Sequence, residues 1–200
     1  MPLRVWGSWG VRLVGYTVGR VIDLDQGWCT ERLDLEPLVA EHAAELGPLL
    51  DDVALHKFTG GKPLSAALLA ARYARLAHRR SPDGSQLWGN WVMRVRATGV
   101  AAGTVQATVP AAGPSAGPAL VAWVVAGQAQ GRGYAKEAAR SLVLRLDESG
   151  WLVVAYIHPD HLASQHVARA AGLSPSSESR DGEIRWTSRP AMAPASVQAI

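Results

Sequence analysis

The sequence predicts an α/β (α+β) fold, a central mixed and mostly antiparallel sheet flanked by helices. Three observations carry this. Extended apolar runs at 87–97, 103–109 and 119–125 follow one another across short breaks rich in glycine and proline, as in an antiparallel meander. A helical stripe then separates the third run from a continuous apolar stretch at 151–157, which is what one parallel crossover requires. Finally, extended and helical patterns alternate along 200 residues without an internal repeat.

Each element has its own signal. Residues 1–28 are broken by Arg4, Arg12 and Arg20 before any apolar stretch becomes long, so they predict neither a membrane span nor a secretory leader. The expectation is a poorly ordered extension ahead of a domain at 29–188. Leu33 and Leu35 alternate with polar neighbours as a strand, and Pro37 reads as a helix start for Leu38, His42, Leu46 and Leu49. A second helix is expected from Pro63, with one stripe of Leu64, Leu68, Ala71 and Arg75 and another of Leu69, Tyr73 and Leu76. The turn Ser81-Pro82-Asp83-Gly84 ends it. After the three strands, Ala135, Ala138, Ala139, Leu142 and Leu146 mark a helix that Gly150 stops. The stretch 151–157 is a strand, and Ala163, Val167 and Ala170 form the buried stripe of a last helix ending at Gly172. A loop and a final strand at 182–188 close the domain, and the tail 189–200 is expected to be loose.

Composition narrows the function. Apolar residues make up 48% and charged residues 18%, which excludes a disordered chain. The net charge is only +3 and the arginines are dispersed, so no nucleic-acid or membrane partner is expected. Arg72, Arg75, Arg79 and Arg80 read as a solvated basic face. A single cysteine, Cys29, leaves no disulfide framework or zinc cluster and fits a reducing, cytoplasmic setting.

The chemistry gathers at residues 128–135, QAQGRGYA, between a strand and a helix. A tight turn whose N-H groups face outward, followed by a helix N-terminus, binds anions. A Rossmann site would need three glycines after an early strand of a parallel sheet, and a P-loop would need Gly-Lys-Ser/Thr. Neither is present.

The stretch Gln130-Gly131-Arg132-Gly133-Tyr134-Ala135 resembles the Q/R-x-x-G-x-G/A signature of the GNAT N-acetyltransferases. Residues 155–173, AYIHPDHLASQHVARAAGL, resemble the strand, P-x-N-x-x-S loop and helix that follow it there. The upstream strand, helices and meander look like those of the RimJ/RimL-like branch, and together the resemblance spans 29–188. It implies a GNAT fold with two splayed strands, acetyl-CoA as cosubstrate, no metal, and transfer of acetyl to a primary amine, a protein N-terminus or a small molecule. Gln130, Gly131, Arg132, Gly133, Tyr134 and Ala135 would hold the pyrophosphate, and the backbone of Trp123, Val124 and Val125 the pantetheine amides. His161 stands where many relatives have Asn and would bind the cofactor by donating to a pantetheine carbonyl, and Ser164 matches the serine near the thiol, a cofactor contact and the candidate catalytic residue. The resemblance is compatible with a homodimer.

The general base stays open. No Asp or Glu occurs between Gly84 and Lys136, and residues 165–171, QHVARAA, lack the tyrosine acid of some branches. Asp51, Asp52, His56, His158 and Asp160 are the candidates. A non-catalytic acyl-CoA-binding module is the alternative this gap leaves. Trp88, Trp91 and Trp123 read as sheet core, with one of them free to wall the acceptor site.

Overall fold

A computed structural model describes residues 23–59 and 63–188; the expectations for residues 1–22 and 189–200 lie outside the described residues. The strands are β1 (Trp28–Cys29), β2 (Leu33–Pro37), β3 (Gln86–Val95), β4 (Ala101–Pro110), β5 (Ala119–Val125), β6 (Val153–Ile157), β7 (Ser174–Arg180) and β8 (Glu183–Thr187). The helices are α1 (His42–Leu50), α2 (His56–Thr59), α3 (Ala66–Ala77), α4 (Tyr134–Glu148) and α5 (Leu162–Ala170). One sheet takes all eight strands in the order β1-β2-β3-β4-β5-β6-β8-β7. Only β5 and β6 pair in parallel, so the sheet is mixed and mostly antiparallel, as expected.

Period-two alternation divides the core between the two faces of this sheet. Leu33, Leu35, Trp91, Met93 and Val105 face α4, whose Ala138, Ala139, Leu142 and Leu146 form the expected stripe. On the other face, Val92 and Ala101 meet Ala43 and Leu46 of α1 and Leu69 and Tyr73 of α3. Leu24 and Trp28, ahead of the boundary expected at residue 29, pack on the first of these clusters.

Several expectations need correction. Pro37 ends β2 opposite Trp91, and α1 begins only at His42. A strand end tolerates a residue without N-H, and the Leu38 N-H donating to the Asn90 carbonyl at 2.9 Å carries the extended chain past it. Ser65 caps α3, which starts at Ala66, and only the Leu69/Tyr73 stripe is buried; Leu68 of the other stripe is exposed. In α5 the buried residues are Val167 and Ala168, while Ala163 and Ala170 are exposed. The loop expected after Gly172 contains β7, an edge strand paired only with β8. An edge strand exposed on both faces needs no apolar alternation, so Ser174–Arg180 gives none.

What positions the site is a loss of pairing. β5 and β6 are in register only at Ala119↔Val153 and Leu120↔Val154. Beyond them β5 continues beside β4 while β6 turns to β8, and a gap opens between the two.

Candidate active site

The free edge of β5 can be read from its hydrogen bonds. The Ala119 N-H donates across to Leu152 beside β6, and the Ala126 N-H donates to Ala102 on the β4 side. Backbone direction alternates along a strand, so Trp123 and Val125 send their polar groups into the gap and Val124 sends its own to β4. Of the three residues expected to bind pantetheine amides by backbone, Trp123 therefore offers its N-H and carbonyl to the gap and Val125 its N-H, the Val125 carbonyl being taken by Gln130. Val124 contributes only a lining side chain.

The turn beyond β5 is built for an anion. Gly131 and Gly133 have φ +73° and +82°, a left-handed conformation that glycine adopts without strain. A Cβ on Gly131 would meet nothing within 4 Å, so the space over it is open. The first α4 bond to a carbonyl four residues back runs from the Glu137 N-H to Gly133, which leaves the N-H groups of Tyr134, Ala135 and Lys136 without an intrahelical acceptor. The Gln130 side-chain amide donates to the Val125 carbonyl at 3.1 Å and ties the turn to the β5 edge.

A clamp fixes the turn from behind. The Arg32 guanidinium donates to Glu137 at 2.7 Å and to the Arg132 carbonyl at 2.9 Å, and lies over the Tyr134 ring. Burial alone would raise the Glu137 carboxyl. The Thr30 hydroxyl, the Arg32 N-H and the Arg32 guanidinium together outweigh it and hold the group below its usual 4.5. A depressed folded value means stability that is present above 4.5 and lost as pH falls through the folded value. Glu137→Gln is therefore expected to cost about 1 kcal/mol at pH 7, kept small because Arg32 is half-exposed. The gap in melting temperature from wild type should close as pH falls below 4.5 in a melting series.

The opposite wall comes from the start of α5 and from α2. Phe58 of α2 stacks on His161 with centroids 4.4 Å apart and planes at 18°. Burial, then the nearby His158, lower the His161 ring below its usual 6.5, so it is neutral at pH 7. Ser164 lies three residues past the N-cap His161 and caps nothing; its hydroxyl has no hydrogen-bond partner among the described residues.

Together these walls enclose a cavity of 660 Å³. It brings together Trp123, Val124, Val125, Gln130, Gly131, Gly133, Tyr134, Ala135, His161 and Ser164. Arg132 is exposed and does not line it, whereas Lys136, in the first turn of α4, does. Trp91 is fully buried, and Trp123 is the tryptophan at the cavity among the described residues. Asp52 and Asp160 line it, and Asp51 does not; the His56 side chain lies outside the described parts. Sequence reasoning missed Phe58, Lys136 and, in an adjoining pocket, Glu183. Lys136 had a signal, since a cation in the first turn of a helix runs against the dipole unless an anion is to be held there.

The family model of the acetyltransferase (GNAT) domain matches residues 32–174. Among solved structures, a GnaT-family acetyltransferase from Bordetella pertussis is 24% identical with TM-score 0.61, over 81% of this chain and 97% of that one. An acetyltransferase from Agrobacterium tumefaciens is 21% identical with TM-score 0.63, over 81% and 93%. RimL, a ribosomal-protein alpha-N-protein acetyltransferase in complex with coenzyme A, is 17% identical with TM-score 0.61, over 79% and 92%. At these identities the likeness shows the fold. No curated protein matches the sequence significantly. Among the described residues no helix is long and apolar enough to cross a membrane, and no group of three His, Cys, Asp or Glu could hold a metal ion.

Proposed function

The chain belongs to the GNAT acetyltransferase family, and from that premise we propose that it transfers the acetyl group of acetyl-CoA to a primary amine, a protein N-terminus or a small molecule. The observation that carries this is the continuity of one wall. The β5 edge, open at the Trp123 backbone and the Val125 N-H, runs directly into the glycine turn and the unbonded first-turn donors of α4. An extended amide-bearing chain ending in a pyrophosphate matches that order of groups.

Acetyl-CoA supplies the thioester carbonyl. The Val125 N-H, aimed into the gap, is placed to polarise it, as preorganised donors do where charge develops. The amine must lose a proton before its lone pair can attack. His161, neutral and on the wall of the cavity, is the group we assign to take that proton. The new C-N bond forms as the C-S bond breaks, and the Ser164 hydroxyl donates a hydrogen bond to the leaving thiolate; the proton that His161 took from the amine is passed on to the thiolate as Ser164 gives up its own and takes that one in its place, so neither an imidazolium nor an alkoxide is left behind. Ser164→Ala is expected to lower kcat on the order of 10²-fold with KM for acetyl-CoA near wild type, read by steady-state thiol release.

RimL acts on a ribosomal protein N-terminus by its name, and the shared fold supports a RimJ/RimL-like assignment. The lone Cys29 supports a reducing, cytoplasmic setting, and a homodimer is compatible with the exposed β7 edge. The lack of any carboxylate between Gly84 and Lys136 favours one other reading, a non-catalytic acyl-CoA-binding module. Two experiments decide. Acetyl-CoA and CoA, not ATP or NAD, should raise the melting temperature, and an amine panel should then release free CoA. Stabilisation without release would favour the binding module, and no stabilisation would remove both readings.

A further inference from the structure

A second, smaller pocket of 90 Å³ lies against the main cavity and shares Phe58, Trp123, His161 and Ser164 with it. Its other walls are Val121 and Ala122 of β5, Ala155, Tyr156, Ile157 and His158 of and after β6, and Glu183 of β8. None of the turn residues 127–136 takes part, so it opens from the same gap on the side away from the anion site. Ser164 and the β5 edge stand between the two spaces.

Its charges are unequal. The Glu183 carboxylate is the one acidic side chain among the described lining residues, and it makes no ion pair there. The arginines beside it are engaged elsewhere: Arg185 with Glu178 at 2.6 Å, and Arg180 with Asp181 at 4.0 Å and with the face of Tyr156. Lys57 is stacked on Phe58, and neither Lys57 nor Arg180 lines the pocket. His158 accepts the Asp160 N-H on Nδ1 at 3.1 Å, so that ring nitrogen is already engaged. Space for about three water-sized groups suits an amine head and its first carbons, and nothing larger.

We propose that this pocket is the acceptor subsite, that Glu183 is its specificity-determining residue, and that the acceptor is an ammonium whose neighbouring atoms carry no negative charge. A peptide N-terminus or a plain alkylamine meets that description. A free amino acid does not, because its carboxylate would sit beside Glu183 with no Lys or Arg among the described lining residues to offset it. The inference rests on the acetyl-transfer reading above.

Steady-state acetylation of glycinamide and glycine, which differ in one charged group, tests it, with 2-phenylethylamine as a third acceptor. Wild type should favour glycinamide over glycine at least tenfold in kcat/KM. Glu183→Gln should raise KM for glycinamide and 2-phenylethylamine about tenfold, leave KM for acetyl-CoA within twofold, and narrow the preference over glycine. Thermal stabilisation by CoA should be unchanged in the variant, which shows that it folds. Equal amine KM values in the two proteins, or glycine accepted as well as glycinamide, would overturn the assignment while acetyl transfer stands. A wild type that neither binds acetyl-CoA nor acetylates any amine would instead remove the reading on which it rests.

Discussion

Gly131→Glu is expected to erase stabilisation by acetyl-CoA. At a ligand concentration near 100 times Kd, binding to the native state adds about 2.7 kcal/mol, which for a domain of this size raises the melting temperature by about 5–10 °C. A side chain at this position enters open space, since a Cβ there meets no atom within 4 Å, so the carboxylate projects over the turn instead of into the core. Its charge opposes the anion that the first-turn donors of α4 and Lys136 would hold. The left-handed φ of +73° adds a folding cost of about 1–2 kcal/mol. Gly131→Ala carries the same backbone strain without the charge or the reach, so it separates the two effects: it should melt lower than wild type yet keep most of the ligand shift. A Gly131→Glu protein stabilised by acetyl-CoA as strongly as Gly131→Ala would show that the anion is held somewhere else.

Gly103→Ala should be the most damaging single methyl in the sheet. A Cβ there would lie 2.0 Å from the Val124 carbonyl oxygen and 2.9 Å from the Val125 Cα, both backbone atoms that no rotamer change can move away. The backbone at Gly103 also has φ +150°, and the register of β3 on β4 shifts beside it, with Met93 opposite Gly103 but Arg94 opposite Ala101. Overpacking and backbone strain together predict a loss of about 3 kcal/mol, visible in the denaturation midpoint. Because the displaced atoms belong to the β5 edge, any folded fraction should bind acetyl-CoA more weakly too. A variant of wild-type stability would mean that β4 and β5 separate more easily than their contact implies.

Strands β3 to β6, helix α4 and the turn before it were legible in the sequence because each carries a periodic apolar signal or a glycine where the backbone requires one. The rest was hidden for identifiable reasons. β7 lies exposed at an edge, where hydrogen bonding and not burial defines the strand, so Ser174–Arg180 resembles a loop. Pro37 suits both a helix start and a strand end, and its pairing with Trp91, over fifty residues away, decided between them. Ala163 fitted a buried stripe by spacing, yet it faces the cavity. At the site, local motifs marked the anion turn and Ser164, which sit close to the glycines or follow a short pattern. Phe58 and Glu183 reach the same place from distant parts of the chain with no motif around them, and only the fold puts them on facing walls. Arg132 shows the converse, a charge inside the motif that the turn directs away from the cavity.

The brief pairing of β5 with β6 also has a mechanical meaning. Among the described residues, two pairs, Ala119↔Val153 and Leu120↔Val154, stitch the β6-β8-β7 part of the sheet to the β1-to-β5 part, with α4 bridging across. The sheet thus behaves as two plates joined by a short seam, and force or denaturant would act first where the stitching is thinnest. A ligand lying along the open edge of one plate while touching α5 on the other would lengthen the seam, so the bound protein should come apart as one body where the free protein can begin to part at the join.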